Sequence, residues 1–403
     1  MKYALDQLAE TGGREWVPSI IFMELTKSCE YSCRHCRASA QLDPSPDELS
    51  LDELKNVIRS INGMGENKPL IVFTGGNPLR KSFFEDIIEY TNQLRIPFSV
   101  SPPGSELING SILAKLKETG CKSISLSIDG ADATSHEWLR KLEGSFDLTM
   151  RSAERIIEAG INIQINTTVM KSNLMELPGI AKIMKNMGIR TWELFFLINT
   201  GRGAYLEPAN DEEAFAVALW LLWLRRYGFI IRTVELPQYR VLQSRFADMS
   251  ALDSYLGNKD SNGREIAGDS WDLLKSLQQK TKEALGEPEH GKSQAPSSRM
   301  HENRGFNGIL FISDTGEVYP SGFLPISLGS LREDNLKNII SGSKLLKDLS
   351  ERKSIKGACG VCNEITHCVG SRSRAFALTN DPLAEDPICF IKETAFEKRE
   401  GMV

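Results

Sequence analysis

The chain has 403 residues, of which 41% are hydrophobic and 25% charged, and its formal net charge is −5. These values are typical of a globular protein of two or three domains, and the acidic balance offers no basic surface for nucleic acid. No secretory signal is visible at the N-terminus, and the longest apolar run, 214–224, is too short to span a bilayer and reads as a buried helix. We therefore predict a cytoplasmic protein with no membrane partner, whose cysteines are thiolates or metal ligands rather than disulfides.

From residue 19 onward, strand-like and helix-like segments alternate. Predicted strands cover 19–25, 70–74, 98–101, 123–128, 161–169 and 191–197, and predicted helices cover 51–64, 81–94, 110–119, 146–159, 177–187 and 211–226. Apolar strands separated by amphipathic helices predict an α/β fold with a parallel sheet and crossover helices. Six such units fall short of the eight that close a full barrel.

Three cysteines lie in the loop that follows the first predicted strand. Cys29, Cys33 and Cys36 are spaced so that one short loop can bring three thiolates to three corners of an iron–sulfur cube. The next cysteine, Cys121, is far along the chain and is expected to be an apolar core residue, so one iron is left open to a non-protein ligand. A zinc site is the alternative, but its fourth ligand would have to be His35, folded back between two of the cysteines.

This CxxxCxxC pattern resembles that of the radical S-adenosylmethionine (SAM) enzymes. The resemblance implies a partial (β/α)6 barrel and a [4Fe–4S] cluster on Cys29, Cys33 and Cys36 whose open iron chelates SAM. Reductive cleavage of SAM would give a 5′-deoxyadenosyl radical that abstracts hydrogen from the substrate. It also implies an electron donor such as ferredoxin or flavodoxin. An iron–sulfur electron carrier is the non-enzyme alternative, although a carrier gains nothing from a missing ligand.

The turn after the second strand, Gly75-Gly76-Asn77-Pro78, resembles the GGxP motif that holds the amino group of SAM in this superfamily. Taken alone, such a sequence is most often only a turn. The superfamily usually has an acidic residue at the position of Asn77. An amide oxygen can still accept a hydrogen bond from an ammonium group, but it carries no formal charge.

Later strand ends supply the remaining predicted SAM contacts. Ser127 and Arg140 match groups that hold the SAM carboxylate, a task suited to the planar guanidinium fork. Thr168 and Arg202 follow the fifth and sixth strands, where related enzymes bind ribose and adenine. The plainer alternatives are a turn at Ser127, a solvated helix residue at Arg140 and a basic turn at Arg202.

The domain organisation follows from changes in composition along the chain. We predict an N-terminal leader over 1–18, the partial barrel over 19–236, a linker or insert with one exposed helix over 237–305, and a C-terminal domain over 306–403. Residues Asp, Ser, Gly, Lys and Pro dominate much of the third segment, which is typical of a connection.

The C-terminal domain carries a second cysteine set. Cys359, Cys362, Cys368 and Cys389 could complete either one closed [4Fe–4S] cluster or a structural zinc site. The arrangement resembles the SPASM extension of radical SAM enzymes, which binds auxiliary clusters on seven cysteines. Because Ser321 and two other positions lack the remaining cysteines, the resemblance implies a single auxiliary cluster.

The resemblance extends to heme and heme d1 synthesis enzymes and to PqqE-type peptide maturases. It implies an oxidative reaction in which the auxiliary cluster takes an electron from the substrate radical. We predict a tetrapyrrole or related cofactor precursor as substrate, with maturation of a ribosomally made peptide as the alternative. Arg37, Arg202, Arg372 and Arg374 are candidates to bind tetrapyrrole carboxylates.

Overall fold

The computed structural model describes residues 18–257, 269–288, 308–365 and 367–391. Within these ranges ten strands form one sheet in the spatial order β10-β9-β8-β1-β2-β3-β4-β5-β6-β7. The strands are β1 Ile20–Glu24, β2 Leu70–Thr74, β3 Phe98–Val100, β4 Ile124–Ser127, β5 Ile163–Val169, β6 Thr191–Phe196, β7 Ile230–Val234, β8 Ile309–Ile312, β9 Glu317–Tyr319 and β10 Gly329–Ser330.

Helices join most of the successive strands and cover the sheet. In the barrel these are α1 Leu51–Asn62, α2 Phe84–Gln93, α3 Gly110–Glu118, α4 Ala133–Arg140, α5 Ser145–Glu158, α6 Leu177–Asn186 and α7 Asp211–Leu224. Further along the chain are α8 Gln238–Arg245, α9 Met249–Gly257, α10 Asp269–Leu285, α11 Leu336–Gly342, α12 Lys344–Glu351, α13 Gly357–Gly360 and α14 Arg372–Thr379. None of the helices in the described ranges is both long and apolar enough to cross a membrane.

Strands β1 to β7 are parallel and neighbour one another in sequence order. The six predicted strands and six predicted helices are confirmed, with ends that move by a few residues, and the structure adds β7 as a seventh parallel strand. The carboxyl ends of these strands therefore meet at one edge of the sheet, where the loops that carry the predicted site emerge.

The C-terminal part of the chain continues the same sheet. Strand β8 pairs in parallel with β1, with Ile20 opposite Ile309, and β9 and β10 follow in antiparallel order. A boundary at residue 306 thus separates strands of one hydrogen-bonded sheet.

Local sequence accounts for most helix positions, as α1 and α7 illustrate. Ser50 and Glu53 form a reciprocal capping box at the start of α1, and its buried residues recur at helical spacing. In α7 every residue from 214 to 224 is buried, which confirms the predicted buried helix.

The structure corrects the prediction of an exposed helix in a linker over 237–305. In α10, Trp271, Leu274 and Leu277 are buried, and Thr281 accepts a hydrogen bond of 3.0 Å from the indole nitrogen of Trp220 in α7. Helices α8 and α9 also contribute core residues. The described part of this segment therefore packs on the barrel, because the all-apolar surface of α7 needs a covering partner.

Candidate metal centres and cofactor site

The loop after β1 brings the first three cysteines together. Cys29 and Cys33 are buried, and Cys36 packs against them as a half-buried residue. The base of the loop is closed by Cys29 N–H, which donates to Gln41 at 2.7 Å, and by Gln41 N–H, which donates to Lys27 at 3.0 Å. The predicted position of these thiols, on one loop at the carboxyl edge of the sheet, is therefore confirmed.

Each of the three sulfurs accepts one hydrogen bond. Tyr31 N–H donates to Cys29 at 3.4 Å, Ala40 N–H donates to Cys36 at 3.4 Å, and Nη1 of Arg140 donates to Cys33 at 3.8 Å. Burial raises the pKa of the Cys29 thiol to about 12 and also raises that of Cys33. Metal ligation requires the thiolate, which burial disfavours because it removes the stabilising water. A bound cationic centre would stabilise the buried thiolates in place of that water. Three soft sulfur donors with hydrogen bonds in place are a donor set that fits an iron–sulfur cluster.

Arg202 holds the cysteine loop from the side of β6. Its Nε donates to the carbonyl of Cys33 at 2.8 Å and its Nη1 donates to that of Ala40 at 2.7 Å. Gly201 has a φ of 54°, and a Cβ there would lie 2.4 Å from the carbonyl oxygen of Arg37. Two nitrogens of Arg202, a predicted cofactor residue, thus hold the cysteine loop in its shape. The third, Nη2, is buried without a partner among the described residues.

The turn after β2 packs directly on the cysteine loop. Gly76 N–H donates to Thr26 and Asn77 N–H donates to Ser28, both at 2.7 Å. A Cβ on Gly76 would lie 2.3 Å from the carbonyl oxygen of Ser28, so only glycine permits this approach. Pro78 opens a short 3₁₀ turn and is buried.

Asn77 is fully buried and does not present a free oxygen, contrary to the expectation that its amide would accept from an ammonium group. Its Oδ1 accepts from Leu79 N–H at 3.1 Å, and its Nδ2 donates to the carboxylate of Glu30. Its contact with Glu30 joins residues 47 positions apart, so no local pattern could have revealed it.

The ends of β4 and β5 meet at Asp129, a buried carboxylate. Arg140 pairs with it at 2.5 Å, and Thr168 N–H donates to it at 2.7 Å. Burial opposes ionisation of Asp129, but the guanidinium of Arg140 lowers its pKa overall. In the sequence Asp129 looks like local structure, whereas in the fold it anchors three of the site's elements.

These contacts change the expected roles of the neighbouring residues. Arg140, predicted to hold the SAM carboxylate, bonds to Asp129 and to the sulfur of Cys33, and its buried Nε lacks a partner in the described ranges. Burial lowers the pKa of His35 to about 4 and that of His136 to about 3, so both rings are neutral at pH 7. Ser127 ends β4 opposite Asn166 and stays half-buried.

The second cysteine set begins within α13 and extends to the end of the described chain. The thiols of Cys359, Cys368 and Cys389 are close enough for their charges to interact, and burial raises the pKa of Cys368 to about 12. Cys359 accepts from Asp386 N–H at 3.3 Å, Cys362 from Glu364 N–H at 3.4 Å and Cys368 from Gly370 N–H at 3.4 Å. Among described residues no group of three or more His, Cys, Asp or Glu side chains is arranged for a single metal ion.

Two buried arginines lie next to this second cysteine set. Arg372 lies beside Cys359, and its guanidinium donates to the carbonyls of Gly370, Pro382 and Ala384 at 2.5–3.3 Å. Arg374 holds both oxygens of Asp386 at 2.9 and 3.0 Å. Both side chains are buried and bond within the chain, and their binding of substrate carboxylates stays a prediction.

Asp386 connects this region to the barrel. Its Oδ2 accepts from Nε2 of Gln238 in α8 at 3.0 Å, and the same side chain of Gln238 donates to the carbonyl of Ile388. The hydroxyl of Ser321, at the position of a missing SPASM cysteine, lies 3.5 Å from that of Ser373, which donates to the half-buried Glu235. Cys121 packs against the main core and donates to the carbonyl of Ser123.

Comparison with known proteins places this geometry in a family. Residues 23–183 match the model of the radical SAM superfamily. The AdoMet-dependent heme synthase of Oleidesulfovibrio alaskensis is 31% identical over 374 residues, covering 92% of this chain and 86% of that protein. The pre-heme d1 synthase of Dinoroseobacter shibae is 25% identical over 382 residues, covering 92% and 86% of the respective chains.

A solved structure supports the same fold. Streptococcus suis SuiB bound to S-adenosylmethionine matches with a TM-score of 0.63 at 12% identity, over 97% of this chain and 82% of that one. The sheet topology, the matched family model and the full-length likeness together show that this chain belongs to the radical SAM superfamily, whose members are enzymes that use SAM and a [4Fe–4S] cluster.

Proposed function

We propose that Cys29, Cys33 and Cys36 bind the [4Fe–4S] cluster that this superfamily uses, with SAM on the fourth iron. The proposal is supported by three thiols on one closed loop, each already accepting a hydrogen bond. When bound, the cluster and SAM together supply a 5′-deoxyadenosyl radical. The chain's own contribution is to hold the loop in shape, through the hydrogen bonds from Arg202 and from the turn at Gly76.

The strand ends next to this loop would contact SAM. Gly75, Gly76 and Pro78 form the turn against the loop, and Ser127 and Thr168 lie at the ends of β4 and β5. Arg140 and Arg202 act first on the cysteine loop, and each keeps one buried nitrogen, Nε and Nη2 respectively, without a partner in the described ranges. Those two nitrogens are the donors that we assign to SAM.

We further propose that Cys359, Cys362, Cys368 and Cys389 bind one auxiliary [4Fe–4S] cluster. Four thiolates leave no iron open, so this cluster would carry electrons rather than bind substrate. The backbone hydrogen bonds to three of the sulfurs and the guanidinium of Arg372 beside Cys359 support a negatively charged cluster. Zinc in place of the cluster would remove this electron-transfer role.

The substrate that we propose is an iron tetrapyrrole with propionate side chains. The observation that carries this proposal is the 31% identity to an AdoMet-dependent heme synthase across nearly the whole of both chains. In the reaction a hydrogen atom leaves the propionate carbon chain, the carboxylate leaves as carbon dioxide, and one electron passes to an acceptor, which gives a vinyl group. The auxiliary cluster would be that acceptor.

The test uses the anaerobically reconstituted, full-length protein with SAM, dithionite and Fe-coproporphyrin III, the compound named in a Methanosarcina barkeri relative of 25% identity. We expect 5′-deoxyadenosine together with a product that has lost carbon dioxide and two hydrogens per converted propionate. A Cys29/Cys33/Cys36→Ala variant is the control and should give neither product. Abundant 5′-deoxyadenosine with an unchanged porphyrin would contradict the tetrapyrrole assignment.

A ribosomally made peptide is the second candidate substrate. The mycofactocin maturase of Mycobacterium tuberculosis is 24% identical over 382 residues and covers 92% of this chain and 83% of that one. Peptide-dependent 5′-deoxyadenosine formation, with no response to the porphyrin, would favour this candidate. In either case the electron for SAM cleavage would come from a protein such as ferredoxin or flavodoxin, which can replace dithionite in the same assay.

A further inference from the structure

The carboxylate of Glu30 is held in a fixed position within the cysteine loop. Nδ2 of Asn77 donates to both of its oxygens, at 2.9 and 3.1 Å, and the hydroxyl of Ser105 donates to Oε1 at 2.8 Å. Asn77 is 0% exposed and Ser105 is 3% exposed, whereas Glu30 is half-buried. Two buried donors, from the loops after β2 and β3, thus orient one carboxylate that is still accessible.

All of the partners of this carboxylate are neutral. The ion pairs around the loop join Arg37 to Glu24, Lys81 to Glu48 and Arg140 to Asp129, and no Lys, Arg or His of the described ranges pairs with Glu30. A carboxylate has about four lone-pair positions, and three are used here. A partly desolvated anion with an unused acceptor position is stabilised by a cation that comes from outside the chain.

The position of Glu30 indicates which cation this is. Glu30 directly follows Cys29, and Asn77 belongs to the turn in which a Cβ on Gly76 would lie 2.8 Å from Cβ of Cys29. The carboxylate therefore stands beside the first of the three thiols. The charged groups that SAM would bring to this place are a sulfonium, a carboxylate and one ammonium, and only the ammonium is a hydrogen-bond donor.

We propose that Glu30 binds the ammonium group of SAM and that Asn77 and Ser105 are positioning residues for Glu30. This inference rests on the proposed SAM site at Cys29, Cys33 and Cys36. The acidic group absent from position 77 is thereby supplied from the cysteine loop, and the amide of Asn77 holds it in place.

The experiment measures equilibrium binding of SAM to the reconstituted protein, with iron content measured on the same samples. We expect Glu30→Gln to keep its iron and to bind SAM roughly 10- to 100-fold more weakly, the loss typical of a charge-assisted hydrogen bond. Binding of 5′-methylthioadenosine, which lacks the amino acid part of SAM, should not change. Asp43→Asn is the matched control, because it removes an exposed charge near the same loop.

A second variant returns the charge to the turn. In Glu30→Gln/Asn77→Glu, the new carboxylate at position 77 can accept the ammonium, so SAM affinity should recover in part. Unchanged SAM affinity in Glu30→Gln would overturn the inference, and so would an equal loss for SAM and 5′-methylthioadenosine or a loss of iron. If the wild-type protein with full iron did not bind SAM at all, the proposed function itself would fail and this inference with it.

Discussion

Replacing Arg140 tests the buried charge pair that links the cysteine loop to the barrel. Asp129 is fully buried as a side chain and Arg140 is 11% exposed, with 2.5 Å between Nη2 and Oδ2. Removing one partner of such a pair leaves an uncompensated charge and typically costs about 3–5 kcal/mol of folding free energy. Since Thr168 N–H still donates to Asp129, we expect Arg140→Met to cost about 3 kcal/mol.

The assay is urea unfolding of the reduced, metal-free protein, followed by circular dichroism under anaerobic conditions. A double variant, Asp129→Asn/Arg140→Met, removes both charges and should be more stable than Arg140→Met alone. Arg151→Met is the control, because its pair with Glu106 is exposed and should add little to stability. A loss below about 1 kcal/mol for Arg140→Met, with no gain in the double variant, would refute the reasoning.

Three other predictions follow from the same contacts. Burial lowers the pKa of His136 to about 3, so between that value and its ordinary pKa the unfolded chain binds a proton that the folded chain does not. The free energy of unfolding should therefore fall as the pH drops from about 6.5 towards 3. In urea unfolding at several pH values, His136→Phe should reduce this dependence on pH by up to one proton. Arg372→Gln should lower the reduction potential of the auxiliary cluster by roughly 60–130 mV in an electron paramagnetic resonance titration, because a charged donor is lost beside Cys359. Gly76→Ala should lose the iron of the first cluster and keep that of the second, whereas Gly110→Ala, where a Cβ meets nothing within 4 Å, should keep both.

Patterns that depend on neighbouring residues could be predicted from the sequence. The six strands, the six helices and the cysteine loop after β1 follow from apolar periodicity, turn residues and cysteine spacing, which are local properties. Strand β7 escaped prediction because it is an edge strand whose residues are partly exposed. Helix α10 was predicted to be exposed because its own composition is polar, and only the apolar face of α7 explains its burial.

The parts of the site that escaped prediction depend on contacts between distant segments. Glu30 and Asn77 lie 47 residues apart, and Gln238 and Asp386 lie 148 apart. From the sequence, Arg140 is a candidate for the SAM carboxylate and Arg374 for substrate carboxylates, because nothing nearby shows that Asp129 and Asp386 are buried opposite them. Sequence alone identifies the groups that can bind a metal, whereas only the fold shows which arginines already pair with a carboxylate of the chain.

The two cysteine sets differ most in how their nearest guanidinium is compensated. At the first set, Arg140 beside Cys33 is neutralised by Asp129. At the second set, Arg372 contacts the sulfur of Cys359 and donates to three backbone carbonyls, and the nearby Asp386 is paired with Arg374. A positive charge that is less directly paired with a carboxylate favours the reduced, more negative form of a cluster, so the proposed auxiliary cluster should have the higher reduction potential of the two. A higher potential makes the proposed auxiliary cluster the better electron acceptor of the two, which is the role that the proposed oxidative decarboxylation requires.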